Sequence, residues 1–171
     1  GLTLAAFMSE MKNHAEYDDV FITTEEAKAK VTPETLLFVV DTHKATYVEA
    51  PELIEKIDKI VIIDHHRRST DFIDKAILTF HEVYASSAAE LVTELVQYVD
   101  CEIELATMET EGLYAGIMMD TKNFTFKTGV RTFEAAAYLR KCGVDIIRVK
   151  KWFQSSFESY SVIADIVKSA E

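Results

Sequence analysis

The chain has 171 residues, 49% of them hydrophobic, and 29 acidic against 18 basic residues give a net charge of −11. Such a length and apolar content suit one folded domain and exclude intrinsic disorder. The acidic balance counts against binding of long nucleic acids. No apolar run approaches a membrane span, so we expect no membrane contact by this segment. Because no signal peptide is present, we expect Cys101 and Cys142 to be reduced thiols in a cytoplasmic domain.

Two helices are predicted before the first strand. Apolar residues recur at helical spacing over about residues 2–15. Thr23 and Glu26 form a capping box that opens a second helix, which runs to about Val31. Pro33 ends it, because the residue before a proline avoids the helical region.

Two apolar strands then end abruptly in polar residues. Residues 36–40 run into Asp41, and residues 60–63 run into Asp64, two histidines and two arginines. The second run is continuous, which is typical of a strand buried on both faces of a parallel sheet. A helix over 51–57 supplies the crossover between them. Ligands bind beyond the carboxyl ends of such strands, so we expect both polar clusters at one edge.

A third apolar segment, residues 116–119, ends in Asp120. Each acid alone is also compatible with a helix cap or a turn. Three acids at the ends of three buried segments, with His65 and His66 among them, favour a metal site. Mixed carboxylate and imidazole ligands suit Mn, Fe or Zn, and arginine suits phosphate.

The next stretch of chain is predicted to contain an edge strand and a long helix. In the second half of residues 76–83, apolar and polar side chains alternate, which is typical of a strand near the sheet edge. His81 lies in this half, away from the motifs. Ser87 is expected to cap a helix to about Val99, with Glu90 completing a capping box. Ser86 could be a second capping residue or a phosphate contact at the helix N-terminus.

The last third of the chain is predicted to be helical. Helices are expected over 105–119, 131–142 and 145–153, with a last one beginning at Ser156. Glu109 and Glu111 are expected to be solvated. The loop after Asp120 should lie beside the site, with core packing favoured for Phe124 and Phe126 over stacking on a base.

Four segments in this order resemble the DHH phosphoesterase superfamily: Asp41–Lys44, Asp64–Arg68, Tyr84–Leu91 and Gly116–Phe124. More closely, they are similar to the phosphodiesterase domain of GdpP-type proteins, membrane-anchored bacterial enzymes that hydrolyse cyclic di-AMP. The resemblance covers most of the chain from about Glu34 onward.

This resemblance implies a site with two Mn ions, a bridging hydroxide as nucleophile and a phosphodiester held over the metals. It implies that Asp41 bridges the metals and that His65 and Asp120 bind one of them. Asp64 would orient its neighbour, and His66 would contact the phosphate, so these two are the expected catalytic residues. The residues expected to bind substrate are His66, Arg67, Arg68, Ser86 and Asn123. His43 is not expected to be a ligand, and its removal should leave most of the activity.

The sequence departs from the family pattern near its beginning. The family's His-x-x-x-Asp-x-Asp motif has only a near match, His14 to Asp18, with Val20 in the last position. We interpret this match as a solvated helix end. No glycine-rich, DHH-associated module follows either. We therefore expect one domain, 1–171, incomplete at both ends, that holds at most one Mn ion and is impaired on its own. An exposed sheet edge would permit a homodimer.

The fold predicted is three-layer α/β, with a mostly parallel sheet and helices on both faces. The predicted function is a Mn-dependent phosphodiesterase domain that hydrolyses cyclic di-AMP, within a parent protein anchored in the bacterial membrane. The alternatives are a nuclease of short oligonucleotides, an inorganic pyrophosphatase and a non-catalytic core.

Overall fold

The computed structural model describes residues 2–99 and 103–154, with side chains from Ala5 onward. Its elements are α1 (Leu2–Met11), α2 (Thr24–Lys30), β1 (Leu36–Val40), α3 (Pro51–Lys56), β2 (Lys59–Asp64), β3 (Leu78–His81), α4 (Ala88–Tyr98), α5 (Thr107–Asp120), α6 (Val130–Lys141) and α7 (Ile146–Trp152). Short 3-10 turns occupy Ala15–Tyr17 and Ala45–Tyr47. The helix predicted from Ser156 lies outside the described residues. None of the described helices has the length and apolarity that a membrane span requires.

The three described strands form a parallel sheet in the order β1-β2-β3. Val40 pairs with Ile63, and Asp64 pairs with His81, so all three strands end at the same edge. Strand β2 is central and its residues from Ile60 to Asp64 are buried, as its continuous apolar run predicts. Helix α3 provides the expected crossover between β1 and β2.

Helices cover both faces of the sheet, which confirms the predicted three-layer α/β fold. One core cluster joins β1, β2 and α3 (Val39, Ile54, Ile57, Ile60, Ile62 and Ile73). A second lies on the opposite face under α4 (Val61, Ile63, Ala85 and Leu91). On that face α4 leaves the row Leu36, Phe38 and Val40 of β1 about half exposed. A dimer through the edge of β1 stays a prediction.

Helix α5 is held close to its neighbours at two glycines. A Cβ added at Gly112 would lie 2.9 Å from the ring of Phe7, and one at Gly116 would lie 2.8 Å from Ala89. The ring of Phe7 in turn meets Trp152 of α7 edge-on, with 5.1 Å between ring centroids. This packing matters for the site because α5 ends at Asp120.

One expectation for α5 is wrong. Glu109 is exposed and accepts a hydrogen bond from the Ala106 N–H, but Glu111 is fully buried. Neither Glu111 oxygen makes a hydrogen bond with the described residues, although Arg148 Nε lies 3.4 Å from Oε2. Burial raises the pKa of Glu111 despite the nearby Arg148 charge. The sequence pattern could not separate the two acids, since burial depends on what packs opposite each one.

Helix ends follow the predictions with small differences. Thr23 and Glu26 form the expected capping box, but α1 ends at Met11 instead of near residue 15. Ser87 caps α4 by accepting from the Glu90 N–H. In a complete capping box the Glu90 side chain would accept from the Ser87 N–H. Here Glu90 Oε2 accepts instead from the backbone N–H and the hydroxyl of Ser86.

The two phenylalanines after α5 have different environments. Phe124 packs as predicted, stacked on Phe133 with 5.8 Å between ring centroids. Phe126 is 55% exposed, with the Lys122 ammonium 4.8 Å from its ring centroid, so its predicted core packing is wrong. The turn that leads to Phe126 is tight, with positive φ at Lys122, Asn123 and Phe124. The Phe126 N–H donates to the Thr121 carbonyl, which holds its backbone at the end of α5, where the ring is exposed.

Candidate metal centre

The sheet register brings the ends of β1 and β2 together. The Asp41 N–H donates to the Ile63 carbonyl at 2.9 Å, which extends the pairing of the two strands by one residue. Asp41 has φ +65°, a left-handed conformation that aspartate tolerates better than most residues. His65 follows directly on the last residue of β2. The predicted edge cluster therefore forms where parallel strands end.

Three predicted metal ligands converge at this edge. His65 Nε2 lies 3.3 Å from Asp41 Oδ1 and 3.5 Å from Asp120 Oδ2. His66 Nδ1 lies 3.9 Å from Asp41 Oδ1, and Asp41, His65 and His66 each offer a ligand atom within 4.8 Å of the others. We call these four residues the outer cluster.

The charges of the outer cluster suit a bound cation. Burial and the neighbouring charge of Asp41 raise the pKa of Asp120. The hydrogen bond to Asp41 raises the pKa of His65 against the opposing effect of burial. His65 is buried, and its Nδ1 makes no hydrogen bond with the described residues. Two carboxylates crowded around one imidazole nitrogen form a donor set that Mn, Fe or Zn would satisfy.

Asp64 lies behind the outer cluster and is fully buried. Its Oδ1 accepts from the N–H groups of His65 (2.9 Å) and His66 (3.2 Å) and from His66 Nδ1 (2.8 Å). Its Oδ2 accepts from His43 Nδ1. Burial alone would raise the pKa of Asp64, but the bonds from His43 and His66 outweigh burial and lower it. These hydrogen bonds support the predicted role of Asp64 in orienting the neighbouring histidines.

His81 lies beside the motifs, so its predicted place away from them is wrong. It is the register partner of Asp64, and its Nε2 lies 2.5 Å from the His66 carbonyl oxygen. Its ring centroid is 5.2 Å from that of His43. We call His43, Asp64 and His81 the inner cluster. The sequence signal for His81 was its position at a strand end, which only the parallel pairing of β3 makes meaningful.

The predicted substrate residues lie in different places. Arg67 lines a cavity of about 580 Å³ next to Asp41 and His66, together with Lys44 and Tyr47. Lys44 and Tyr47 were not predicted to bind substrate. Both follow β1, and Lys44 ends the segment Asp41–Lys44 that resembles the DHH superfamily. The other three predicted substrate-binding residues do not line this cavity. Arg68 stacks over Phe72 at 4.2 Å and lines a separate cavity with His43 and His81. Ser86 is buried, and its hydroxyl donates to Glu90. Asn123 is exposed on the left-handed turn after Asp120.

The near match His14 to Asp18 has no part in this centre. Both residues are exposed, at and beyond the end of α1. Among the described residues, neither belongs to a group of donors that could share a metal. The interpretation of this stretch as a solvated helix end agrees with these positions.

The family model described as "DHH family, N-terminal domain" matches residues 2–117. The chain belongs to the DHH family. This DHH domain is 43% identical over 168 residues to "Cyclic-di-AMP phosphodiesterase GdpP" of Bacillus subtilis (strain 168), covering 98% of the chain and 26% of that protein. It is 39% identical over 164 residues to "Cyclic-di-AMP phosphodiesterase PdeA" of Listeria monocytogenes, covering 96% of the chain and 25% of that protein.

A solved structure agrees on the fold. An exopolyphosphatase-related protein from Bacteroides fragilis superposes with a TM-score of 0.72 at 19% identity, over 84% of this chain and 43% of that one. At that identity the likeness concerns the fold alone. The DHH domain spans about a quarter of the length of the curated relatives it matches.

Proposed function

We propose that this DHH domain is the metal-dependent phosphodiesterase part of an enzyme that hydrolyses cyclic di-AMP. The observation that carries the proposal is the approach of the Asp41 and Asp120 carboxylates to within 3.5 Å of one imidazole nitrogen, Nε2 of His65. The names of the Bacillus and Listeria relatives supply the substrate. We also propose Mn as the metal, a cytoplasmic position for the domain and membrane anchoring of the parent protein.

In this proposal the residues of the outer cluster have distinct tasks. Asp41, His65 and Asp120 would hold metal, and Asp41 would be the ligand that two ions have in common. A bound divalent metal lowers the pKa of water and neutralises charge on phosphoryl oxygens. His66 Nδ1 donates to Asp64, so Nε2 is the ring atom left to contact the phosphoryl group. Such an arrangement presents positive and polar groups to one phosphodiester.

The neighbouring cavity is a suitable place for the rest of the substrate. It adjoins Asp41 and His66 and carries the cations Lys44 and Arg67. Guanidinium and ammonium groups stabilise negative charge on phosphoryl oxygens, and more strongly where water is excluded. The chain as a whole carries a net charge of −11, so this local positive lining favours a short anionic ligand over a long nucleic acid.

The test uses the full-length protein, dialysed and reloaded with Mn, Mg or Zn, with metal content measured by elemental analysis. Hydrolysis is followed for cyclic di-AMP, its linear dinucleotide, a short oligonucleotide and pyrophosphate. Cyclic di-AMP should turn over fastest, in the presence of Mn. Asp41→Asn should abolish turnover, whereas Asp58→Asn, an exposed acid at the opposite end of β2, should leave it unchanged.

Three outcomes would replace the proposal. Faster turnover of the oligonucleotide or of pyrophosphate would favour the nuclease or the pyrophosphatase. Absence of hydrolysis with every metal would favour the non-catalytic core. Equal activity of Asp41→Asn and Asp58→Asn would move the metal site elsewhere.

A further inference from the structure

His43 is buried although it lies in a loop. It is third in the segment after β1, yet only 4% of it is exposed. Its carbonyl accepts from the Ile73 N–H at 2.9 Å, which ties this loop to the one that follows the histidine pair. This bond holds the backbone of His43, and the His43 ring lies against Asp64.

The hydrogen bonds of His43 determine its tautomer. Its Nε2 lies 3.1 Å from the Ser69 backbone nitrogen, which can only donate. Nε2 therefore carries the lone pair, and in the neutral ring Nδ1 carries the proton. Ser69 Oγ, which is also near Nε2, donates to Asp71 instead. His43 consequently donates from Nδ1 to Asp64 Oδ2.

This bond fixes which oxygen of Asp64 serves the histidine pair. With Oδ2 engaged by His43, Oδ1 receives the N–H groups of His65 and His66 and the His66 ring. A rotation of the carboxylate would break all of these contacts together. His43 thereby acts on the orientation of residues that it does not touch.

We propose that His43 is a positioning residue for the phosphodiesterase reaction, acting through Asp64 on His65 and His66. The inference rests on the proposed function for its kinetic consequence. Metal-bound imidazoles are usually oriented by a partner of this kind, and loss of such partners typically costs about 10–100-fold in metal affinity or activity. It revises the expectation that removal of His43 leaves most of the activity.

The inner cluster is less suited to a metal than the outer cluster. Its ligand atoms lie within 4.8 Å of one another, but they are already engaged. His43 uses both ring nitrogens, both Asp64 oxygens accept hydrogen bonds, and His81 Nε2 is bonded to the His66 carbonyl. A metal there would have to displace these bonds.

The test compares two substitutions of His43 in the full-length protein. In His43→Asn the amide nitrogen can occupy the position of Nδ1 and donate to Asp64. In His43→Gln the amide reaches the position of Nε2 and keeps the Ser69 contact but loses the bond to Asp64. We measure kcat and KM for cyclic di-AMP, Mn affinity by calorimetry, and the unfolding temperature. His14→Asn, at an exposed histidine, is the control.

We expect His43→Gln to lower kcat or Mn affinity by about 10–100-fold, with His43→Asn recovering most of the loss. Unfolding temperatures of the two variants should be similar, since each keeps one polar contact. Equal losses in both variants, or a His43→Gln enzyme within about threefold of wild type, would overturn the inference.

The proposed function and this inference can fail separately. If the wild-type protein hydrolyses no phosphodiester, the function is wrong, but Mn affinity still ranks His43→Asn above His43→Gln if His43 positions the ligands. Equal Mn affinities in that case would reject the positioning role as well.

Discussion

The outer and inner clusters contain the same kinds of side chain, yet their environments are opposite. In the inner cluster, Asp64 is fully buried and accepts four hydrogen bonds. In the outer cluster, the Asp41 and Asp120 carboxylates crowd the Nε2 atom of His65 and are partly exposed. Residue type alone therefore does not identify a set of metal ligands. A carboxylate whose bonds are complete supports its neighbours, whereas one left in a charged, incomplete cluster is available to a cation.

The sharpest way to break this comparison is to remove the centre of the outer cluster. His65→Ala should lower metal-dependent turnover of the full-length enzyme by about 10³-fold or more, at or beyond the upper end for loss of one preorganised electrostatic group. His14→Ala, which removes an exposed imidazole, should have no effect. Steady-state kinetics at saturating Mn measures both. Comparable losses in the two variants would contradict the assignment.

A smaller effect should separate the acids of the two clusters. Asp41→Asn is expected to cost more activity than Asp64→Asn, for which a loss of about 10–100-fold is typical of a group that orients a ligand. The two substitutions are matched, because each removes one charge and keeps the side-chain shape. Metal content and kcat are measured for both. A dead Asp64→Asn enzyme beside a mildly affected Asp41→Asn enzyme would reverse the roles.

Protons should compete with metal in the outer cluster. The pKa of His65 is raised, chiefly by its bond to Asp41, so the ring takes up a proton at a higher pH than an ordinary histidine. A protonated imidazole cannot bind metal, so Mn affinity should fall on acidification and begin to fall above the ordinary histidine range. The raised pKa of Asp120 adds to the loss at lower pH.

Calorimetric Mn titrations between about pH 8.5 and 5.5 measure this dependence. Asp120→Asn, which removes one charge that faces His65, should weaken Mn binding and move the decline to lower pH. An affinity that stays constant over the whole range would show that His65 does not bind the metal.

The smallest effect concerns stability and extends the comparison to another buried acid, Glu111. Glu111 lacks the hydrogen bonds of Asp64, and burial raises its pKa. An acid whose pKa is higher in the folded state destabilises that state once pH exceeds its unfolded value, and the penalty disappears on acidification. Glu111→Gln should therefore raise the unfolding temperature at neutral pH, and the gain should vanish as pH falls below the unfolded value.

Arg148 would keep its other partner in this variant, since it is also bonded to Glu10. Glu109→Gln, at the exposed acid two residues earlier in α5, is the matched control and should leave the unfolding temperature unchanged. Melting curves at several pH values provide the measurement. A lower unfolding temperature for Glu111→Gln at neutral pH would mean that the Arg148 charge outweighs burial.

The amino-acid sequence by itself determined the parallel sheet and the edge at which the site lies. The continuous apolar run before Asp64 indicated a central strand, and the short helix after Asp41 supplied the crossover. Asp41 and His65 could be predicted to meet because parallel strands bring their carboxyl ends together, and Asp120 was expected there from its place at the end of a third apolar segment. Local periodicity and chain direction are enough for these conclusions, since both are properties of neighbouring residues.

Only the tertiary structure decided how the remaining polar groups are partnered. His43 and Asp64 are 21 residues apart, and His81 meets them because β3 pairs in parallel with β2. Glu111 is buried by Arg148 and its neighbours, whereas Glu109 on the same helix is exposed. Periodicity states which face a residue occupies but not what packs against that face. Hydrogen bonds and desolvation depend on the opposing group, and side chains from distant segments supply it only when the chain has folded.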